Sequence, residues 1–432
     1  MISRRMVVVA VAAAAAVLLG AAVIVHQIAD ARWSALRSWS QKACAEYQRR
    51  DFRRPVAWGE SQPGNAFAHY RRALALAQPL VDENRLSHLW GQFMLKKPRA
   101  GTEPMSAAEA AAIHAAWAPA IAEARAGARC AEAGPAVDFR QPNLDFNLLT
   151  LRWLVNIMVL DASDAVAQRD GARAVELWLD ALAFGTDLMR SPGMIDRIIG
   201  VAVANIVVKQ GCTEESLQAL DGAQLEQLAA GLARIDDAAL LTSSLAGEAM
   251  MSAHYALQHT QELMEDSSCA TWRFGWSMRW MMADALLHMA REAEQPAVDG
   301  QPWPVRRARL EEQKQQAMGA EMERLLDQLR VGGTSEATPA APRLATPGDR
   351  NPWLGAVWPS LSLSEGSARH LFAQVRCLRI AVEHHRGAEL PALSDPMGSG
   401  PLAVERAAGK LRIASVGEPN SHWRIERFAA LR

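Results

Sequence analysis

The chain has 432 residues, half of them apolar and 22% of them charged, and its formal net charge at pH 7 is −1. This length accommodates roughly two to three domains. The near-neutral charge argues against a dedicated nucleic-acid-binding protein, which would present a basic surface. The cysteines lie far apart and form no Cys-x-x-Cys pair, so neither a zinc ribbon nor a thioredoxin-like motif is predicted. We interpret all five as small, mainly buried apolar residues: Cys44, Cys130, Cys212, Cys269 and Cys377.

An uncharged apolar segment at residues 6–25 predicts a transmembrane helix. A helix of that length is about 30 Å long and matches the hydrocarbon core of a bilayer. It exceeds the apolar region of a cleaved signal peptide, which favours an uncleaved signal anchor, although the small-x-small step at 29–31 leaves cleavage open. Arg4 and Arg5 favour an N-terminus inside the cytoplasm, and basic residues between 32 and 42 weaken that asymmetry. We therefore expect the bulk of the chain in the periplasm of a two-membrane bacterium.

Apolar residues at helical spacing predict a series of helices after this anchor. Short turns between them indicate stacked antiparallel hairpins. Ser106 and Glu109 have the spacing of a capping box at the start of an Ala-rich helix. Residues 198–208 are almost wholly apolar but too few to cross a bilayer, so they predict a core helix of a globular domain. The predicted helices cover residues 31–50, 66–79, 107–130, 144–168, 172–190, 194–210, 222–235, 238–265, 269–294 and 305–330.

The composition changes from residue 331 onward. Residues 331–363 are rich in Pro, Gly, Ser and Thr, which is typical of a linker. A last helix at 364–386 is followed by short apolar segments that predict β-strands at 402–404, 411–413 and 422–428. The sequence thus predicts a mainly α protein with four parts: an N-terminal transmembrane anchor at 1–30, an α-helical hairpin domain at 31–330, the linker at 331–363, and a small α+β module at 364–432.

This C-terminal module resembles the C-terminal part of type II secretion pseudopilins. After the last helix, the chain carries short motifs in the pseudopilin order: Leu390-Pro391, Asp395-Pro396-x-Gly398, Pro401-Leu402 and Ser415-Val416-Gly417. Ala414 replaces the usual Tyr, however, and Glu418 stands alone where pseudopilins have calcium-binding acidic residues. The anchor also lacks the pilin processing signal and its glutamate, so we carry over neither a metal site nor an assembly role.

The helical part is similar to uncharacterised bacterial single-pass membrane-anchored helical proteins. Those proteins carry an Asn-Ala-x-x-x-Tyr step, which is matched here by Asn65-Ala66-x-x-x-Tyr70. This second likeness covers only a few residues, whereas the pseudopilin-like tail covers about 55 residues, and short motifs of either kind also occur in unrelated chains. The two likenesses together imply a membrane-anchored protein of the bacterial envelope.

Three clusters of polar residues suggest chemistry at first sight, and we interpret each as structural. Glu383, His384 and His385 are adjacent on a helix and point about 100° apart, so they do not converge on one metal ion. Asp284, His288 and Glu292 recur every fourth residue, which is typical of a solvated helix face with ion-pair support. The third cluster is the most regular and comes from one amphipathic helix: Glu176, Asp180 and Asp187.

We expect the carboxylates of this third cluster to lie on the solvated face of their helix, because apolar residues occupy the opposite face. Paired catalytic carboxylates would instead line a cleft. Asp196 and Arg197 open the apolar helix that follows, and they predict a buried ion pair. Neither group therefore predicts a catalytic site.

No catalytic, cofactor-binding or metal-binding residue is predicted. The sequence has no His-Glu-x-x-His, no Gly-x-Ser-x-Gly, no phosphate-binding Gly-Lys-Ser/Thr loop and no dinucleotide-binding Gly-x-Gly-x-x-Gly. We expect a non-enzymatic binding or scaffold protein of the bacterial inner membrane, with a protein or peptide partner and no nucleic acid. The membrane is a second partner, through the anchor and through the four arginines of residues 49–54, which suit anionic lipid headgroups.

Two alternatives remain open. The first is a membrane-tethered hydrolase whose motif is not recognisable, and the second is an accessory part of a secretion or pilus system. A pocket with convergent histidine and acidic residues would favour the hydrolase. An open groove lined by tryptophan and methionine would favour a binding protein, since such surfaces adapt to peptides.

Overall fold

The structure of the protein is a computed structural model that describes the following parts of the chain: residues 4–95, 104–135, 147–241, 244–258, 361–407, 410–416 and 425–430, with the shorter pieces 283, 286, 287, 290, 305–308 and 312. Within the N-terminal helix, most side chains before residue 26 lie outside this description.

The described residues are mainly helical, as predicted. The helices are α1 (Arg4–Gln48), α2 (Ala66–Ala77), α3 (Glu83–Leu95), α4 (Ala107–Ala128), α5 (Leu148–Ala167), α6 (Gly171–Leu188), α7 (Met194–Ile206), α8 (Glu214–Gln218), α9 (Gly222–Ile235), α10 (Ser244–Gln258) and α11 (Leu361–Arg386). The strands are β1 (Gln62–Asn65), β2 (Cys130–Glu132), β3 (Ala403–Ala407), β4 (Lys410–Ala414) and β5 (Glu426–Ala430). A π turn at Val207–Gly211 follows α7.

Helix α1 is a single helix of 45 residues. Its C-terminal half packs against α10, where Trp33 and Leu36 are buried together with Ala249 and Ala253. Among the residues with described side chains, no helix has the length and hydropathy needed to cross a membrane. The span predicted at 6–25 lies almost wholly outside those residues, and it stays a prediction.

Helix α6 lies in the main hydrophobic core, in contact with α4, α5, α7 and α9. Its Trp178 and Phe184 side chains are completely buried. Helix α7 crosses α6 at a point where two glycines face each other. A Cβ atom on Gly185 would lie 2.9 Å from the carbonyl oxygen of Gly200, so the missing side chains let the two backbones approach closely. The apolar stretch predicted as a core helix is therefore α7 with its π turn, packed on the more deeply buried α6.

Helix α11 connects the C-terminal sheet to the helical part of the protein. It packs against α7 and α9 on one side and against β4 and β5 on the other. The sheet is antiparallel with the order β3-β4-β5, and its strands match the three predicted ones. The Phe372 and Leu378 side chains of α11 belong to the same core as α6. The predicted linker at 331–363 lies almost entirely outside the described residues, as does most of the predicted helices at 269–294 and 305–330.

Candidate ligand-binding cleft

The carboxylates of α6 are not on a solvated face, and that prediction is wrong for two of the three. Asp180 is 1% exposed and Asp187 is completely buried. Asp187 accepts two hydrogen bonds of 2.6 Å from the guanidinium of Arg54 and a third of 2.6 Å from the hydroxyl of Tyr70. All three donors meet one carboxylate in an apolar surrounding, where charge-assisted hydrogen bonds are strong.

Arg54 was expected to face lipid headgroups with the other arginines of residues 49–54, and for Arg54 this is wrong. Its side chain is buried, and besides binding Asp187 it donates to the carbonyl of Ala128 at 3.0 Å. The guanidinium thus ties the segment after α1 to α6 and to the end of α4. Because both oxygens of Asp187 and the Nε and Nη2 of Arg54 are used within the core, we assign Arg54 and Asp187 a structural role.

The Asn-Ala-x-x-x-Tyr step also has a structural explanation. Asn65 caps α2 by accepting a hydrogen bond from the backbone N–H of Phe67 at 2.9 Å, and its amide donates to the carbonyl of Gly134 at 2.8 Å. Tyr70 follows in the next turn of α2, where its hydroxyl reaches Asp187. The step therefore fixes the start of α2 and points its tyrosine at the buried carboxylate.

Asp180 is held in the same way by α4 and by the segment before α2. It accepts hydrogen bonds from Arg125 at 2.8 Å and from the indole N–H of Trp58 at 2.7 Å. Burial raises the pKa of Asp180 to about 6 despite these two donors. Arg125 also pairs with Glu176 at 2.6 Å, and Arg129 lies over the Trp58 ring at 4.0 Å. These partners cover the polar face of α6 and leave no free pair of carboxylates there.

Asp196 and Arg197 are both buried, but their partners differ. Asp196 accepts a hydrogen bond of 2.5 Å from the hydroxyl of Ser191, and burial raises its pKa to about 6. Burial lowers the pKa of Arg197 to about 10, and the negative charge acting on that guanidinium belongs to Glu365 of α11. The two adjacent residues therefore point to different parts of the fold.

The side chains of Glu383, His384 and His385 do not converge. Glu383 pairs with Arg386 at 2.6 Å, while His385 is buried and lies 3.2 Å from Glu214 of α8. Asp284, His288 and Glu292 lie outside the described residues. Within the described part of the chain, no group of three His, Cys, Asp or Glu side chains has an arrangement that holds a metal ion.

Two of the pseudopilin-like motifs contact each other through a buried carboxylate. Asp395 accepts hydrogen bonds from the hydroxyl of Ser415 and the backbone N–H of Val416, both at 2.8 Å. It also accepts one from the backbone N–H of Met397 at 2.9 Å. The aspartate thereby joins the turn after α11 to the end of β4, which gives this pair of motifs a purpose in folding. The resemblance to pseudopilins itself stays a prediction.

A cleft of about 560 Å³ lies outside all of these sequence candidates. One wall is formed by the π turn and the start of α8, the floor by α11, and the other wall by β5. The lining residues are Val208, Lys209, Cys212, Thr213, Glu214, His370, Gln374, Cys377, Ile425, Glu426, Arg427 and Phe428. Pockets of roughly 300–1,000 Å³ are the usual size for small-molecule and short-peptide ligands.

The cleft has two acidic and two basic side chains, and the charge of Glu214 acts on Arg427 from beyond ion-pair distance. Both acidic residues are paired with groups outside it, since Glu214 is hydrogen bonded to His385 at 3.2 Å and Glu426 accepts from Arg412 at 3.0 Å. The two basic side chains of the cleft have no such partner in the part of the chain that the structure describes. Among the described residues, neither Lys209 nor Arg427 has a carboxylate within ion-pair distance.

Arg427 is the more confined of the two cations. Its guanidinium donates a hydrogen bond to the carbonyl oxygen of Cys212, and burial lowers its pKa. A guanidinium carries five N–H donors in a planar fork that matches a carboxylate. With one neutral acceptor provided by the protein, Arg427 keeps donors for an anionic group in the cleft.

The thiols of the cleft are not set up as nucleophiles. Burial raises the pKa of Cys212 and of Cys377 to about 12, so both are protonated at neutral pH, whereas the reactive form is the thiolate. The amide of Gln374 donates a hydrogen bond of 2.5 Å to Nε2 of His370. Thr213 caps α8. The Thr213 hydroxyl also donates to the carboxylate of Glu215, but at 3.4 Å this is at the outer limit of a hydrogen bond and is exposed to solvent.

The sequence did not single out this cleft, because its residues come from three distant segments and form no motif. All four described cysteines are buried, as predicted, and two of them line the cleft. Comparison of the chain with protein-family models, with curated proteins and with solved structures gives no match.

Proposed function

We propose that this protein is a non-enzymatic binding protein of the bacterial envelope, and that its cleft beside β5 binds a ligand with an anionic group. The observation that carries this proposal is the way the basic side chains of the cleft are bound. Among the described residues, Arg427 and Lys209 have no carboxylate within ion-pair distance, and Arg427 donates to one neutral carbonyl. Apolar side chains such as Val208, Ile425 and Phe428 line the same space. An amphipathic ligand with one carboxylate suits this lining.

The chemistry of the cleft supports binding rather than hydrolysis. His370, Glu214 and Glu426 share the cleft, yet each makes its hydrogen bond with a different residue and none activates a nucleophile. The two thiols are held protonated. A hydrolase would instead need a nucleophile or a water molecule within hydrogen-bonding reach of a base.

The location in the envelope is part of the same proposal. It is supported by the uncharged segment 6–25, which lies within one continuous helix from Arg4 to Gln48. Arg4 and Arg5 favour an N-terminus in the cytoplasm. We propose that α1 anchors the protein in the inner membrane, with the cleft in the periplasm.

Ligand binding is tested with 4-trifluoromethylbenzoate as the probe and the full chain in lipid nanodiscs, by fluorine NMR titration. We expect the benzoate to bind the wild type saturably. The uncharged probe 4-trifluoromethylbenzamide should not bind it. Arg427→Gln should bind the benzoate more weakly, by roughly tenfold or more, because a charge-assisted hydrogen bond is lost. Arg406→Gln, which removes an exposed arginine from β3 of the same sheet, should bind like the wild type.

Absence of saturable benzoate binding to the wild type would overturn the proposal, and so would equal binding of benzoate and benzamide. The location has its own test. Alkaline phosphatase is fused after residue 330 and its activity is scored in cells, because the enzyme is active only outside the cytoplasm. Active fusions support a periplasmic domain, whereas inactive fusions that are well expressed would place it in the cytoplasm.

A further inference from the structure

The cleft follows the open edge of a β-sheet. In the order β3-β4-β5, strand β5 pairs with β4 on one side, and no other strand of the described part of the chain pairs with its second side. Four consecutive residues, 425–428, line the cleft. Successive side chains of a strand point to opposite faces of the sheet, so a cavity that touches four residues in a row reaches the edge of the strand as well as the face covered by α11.

Hydrogen-bonded and non-hydrogen-bonded residue pairs alternate along two antiparallel strands. The pairing of β4 with β5 therefore shows which backbone groups of β5 face outward. The backbone N–H of Ser415 donates to the carbonyl of Ile425 at 3.1 Å. The register pairs Ile413 with Arg427, two residues further along each strand, so Arg427 also directs its backbone groups to β4. Phe428 lies between hydrogen-bonded positions, and its N–H and C=O therefore point away from β4 and toward the cleft. No described residue forms a hydrogen bond with them.

The two edges of the sheet are protected to different degrees. The outer strand β3 carries the exposed charged side chains of Glu405 and Arg406, which discourage pairing with another chain. Strand β5 has no proline and no lysine, and its Phe428 is 47% exposed. Its two charged residues, Glu426 and Arg427, are half-buried, unlike those of β3. An unprotected edge within a cleft is the feature that peptide-binding sheets use.

Side-chain alternation along β5 defines the ligand. Arg427 lies on the same face of the strand as the buried Ile425 and Ala429, whereas Phe428 lies on the other face. A strand added next to β5 would place its own side chains alternately opposite these two positions. Opposite charges and apolar pairs are favourable at facing positions of neighbouring strands. The complementary ligand therefore alternates an acidic side chain with apolar ones.

We propose that the cleft binds an extended peptide segment of a partner protein, which pairs with β5 as a fourth strand, places an acidic side chain against Arg427 and places an apolar side chain against Phe428. This inference rests on the proposed function, because it names the ligand class of the same cleft. Backbone pairing to the outward N–H and C=O of Phe428 supplies sequence-independent affinity, and Arg427 supplies selectivity for the acidic residue.

The test uses the pentapeptide Thr-Val-Glu-Val-Thr, acetylated and amidated at its ends and carrying a fluorophore, with the full chain in nanodiscs. Anisotropy titration measures its affinity for the wild type. A peptide with Gln in place of Glu, and the Arg427→Gln variant with the original peptide, should each bind about tenfold more weakly. Arg406→Gln serves as the matched control and should bind the original peptide like the wild type.

Backbone pairing needs a separate readout. Single N-methylation at each peptide bond of the pentapeptide removes one backbone donor at a time and leaves the side chains in place. At least one of these peptides should bind about tenfold more weakly than the parent. Hydrogen–deuterium exchange of residues 425–430 should also slow when the parent peptide binds, because the outward N–H of Phe428 becomes paired.

The outcomes separate this inference from the proposed function. If trifluoromethylbenzoate binds in an Arg427-dependent way while the pentapeptide does not bind, strand addition is overturned and the anionic site stands. If the peptide binds but residues 425–430 gain no protection and N-methylation has no effect, strand addition is again overturned. If neither probe binds the wild type, both proposals fall.

Discussion

The hydroxyl of Tyr70 offers a direct measure of what the buried carboxylate of α6 contributes to stability. Tyr70 and Asp187 are both completely buried, and the hydroxyl donates to the carboxylate at 2.6 Å. Tyr70→Phe removes this donor, together with the interaction between the hydroxyl and the Arg54 guanidinium. The ring keeps its edge contact with Phe184, with 4.6 Å between the ring centroids. Asp187 keeps both hydrogen bonds from Arg54, so its charge stays paired.

The expected magnitude follows from this geometry. A hydrogen bond to a charged acceptor contributes about 1.5–3 kcal/mol net, and the remaining partners of Asp187 prevent the larger penalty of an unpaired buried charge. We therefore expect Tyr70→Phe to lower the free energy of unfolding by about 2 kcal/mol. The same residue also packs tightly on α4, since a Cβ atom on Gly127 would lie 2.5 Å from the Tyr70 ring. The phenylalanine ring fills this space equally well.

The assay is urea unfolding of the full chain in nanodiscs, followed by tryptophan fluorescence. Tyr47→Phe is the matched control, because the Tyr47 hydroxyl lies 3.5 Å from the carbonyl of Arg190, at the outer limit of a hydrogen bond. We expect this control to lose less stability than Tyr70→Phe, because a hydrogen bond to a neutral carbonyl contributes less than one to a carboxylate. Equal losses in the two variants, or no loss in Tyr70→Phe, would refute the assignment of Asp187 as a hydrogen-bonded anchor of α2.

Two further predictions concern other buried carboxylates. Burial raises the pKa of Asp196 to about 6, so between about pH 4 and 6 the folded state holds a proton that the unfolded state has lost, and this group destabilises the fold as the pH rises. Asp196→Asn does not titrate, so its free energy of unfolding minus that of the wild type should increase by about 2–3 kcal/mol from pH 4 to pH 7. Parallel urea titrations of the two proteins measure this difference, and a difference that does not change with pH would contradict the prediction. Asp395→Ala leaves the donors of Ser415, Val416 and Met397 without their acceptor, so we expect the free energy of unfolding to fall by at least about 2 kcal/mol in the same assay. The control Glu405→Gln removes an exposed ion pair and should lower it by about 0–1 kcal/mol.

The sequence predicted those elements whose ends are encoded locally. Helix α9 matches its predicted range at both ends, since Asp221 and Gln224 form a capping box at its start. Helix α4 begins after Ser106, whose capping box with Glu109 is also present. Both signals depend on residues within one turn of each other, so no knowledge of the rest of the fold was needed.

Long-range pairings had no such signal. Strand β1 pairs with β2 in parallel, although Gln62 and Cys130 are far apart in the chain and Pro63 lies within the first strand. A proline normally argues against a strand unless that strand is at an edge. The π turn at Val207–Gly211 was likewise missed, because the apolar pattern of α7 continues through it.

The error on α6 has a different origin. Periodicity placed Glu176, Asp180 and Asp187 on one face of the helix, and the buried pairing of Asp180 and Asp187 is compatible with that common face. What covers the face was not encoded in the helix, since the covering arginines come from α4 and from the segment after α1. An acidic stripe with arginines elsewhere in the chain can therefore be either solvated or internally paired, and the helix sequence alone does not decide between them.

The cleft likewise depends on segments that are far apart in the chain, and here they form the proposed binding site. Strand alternation separates the two arginines of the sheet. Arg412 lies on the face of Glu405 and bonds to both Glu405 and Glu426, which makes that face electrically self-contained. Arg427 lies on the opposite face, where α11 contributes no described carboxylate within ion-pair distance of it. Because α11 and α8 close over that face, the Arg427 guanidinium is enclosed in a cleft, where the carboxylate of Glu214 of α8 acts on it from beyond ion-pair distance. The packing of α11 on the helical part thus encloses the sheet edge that we propose as the binding site for an anion.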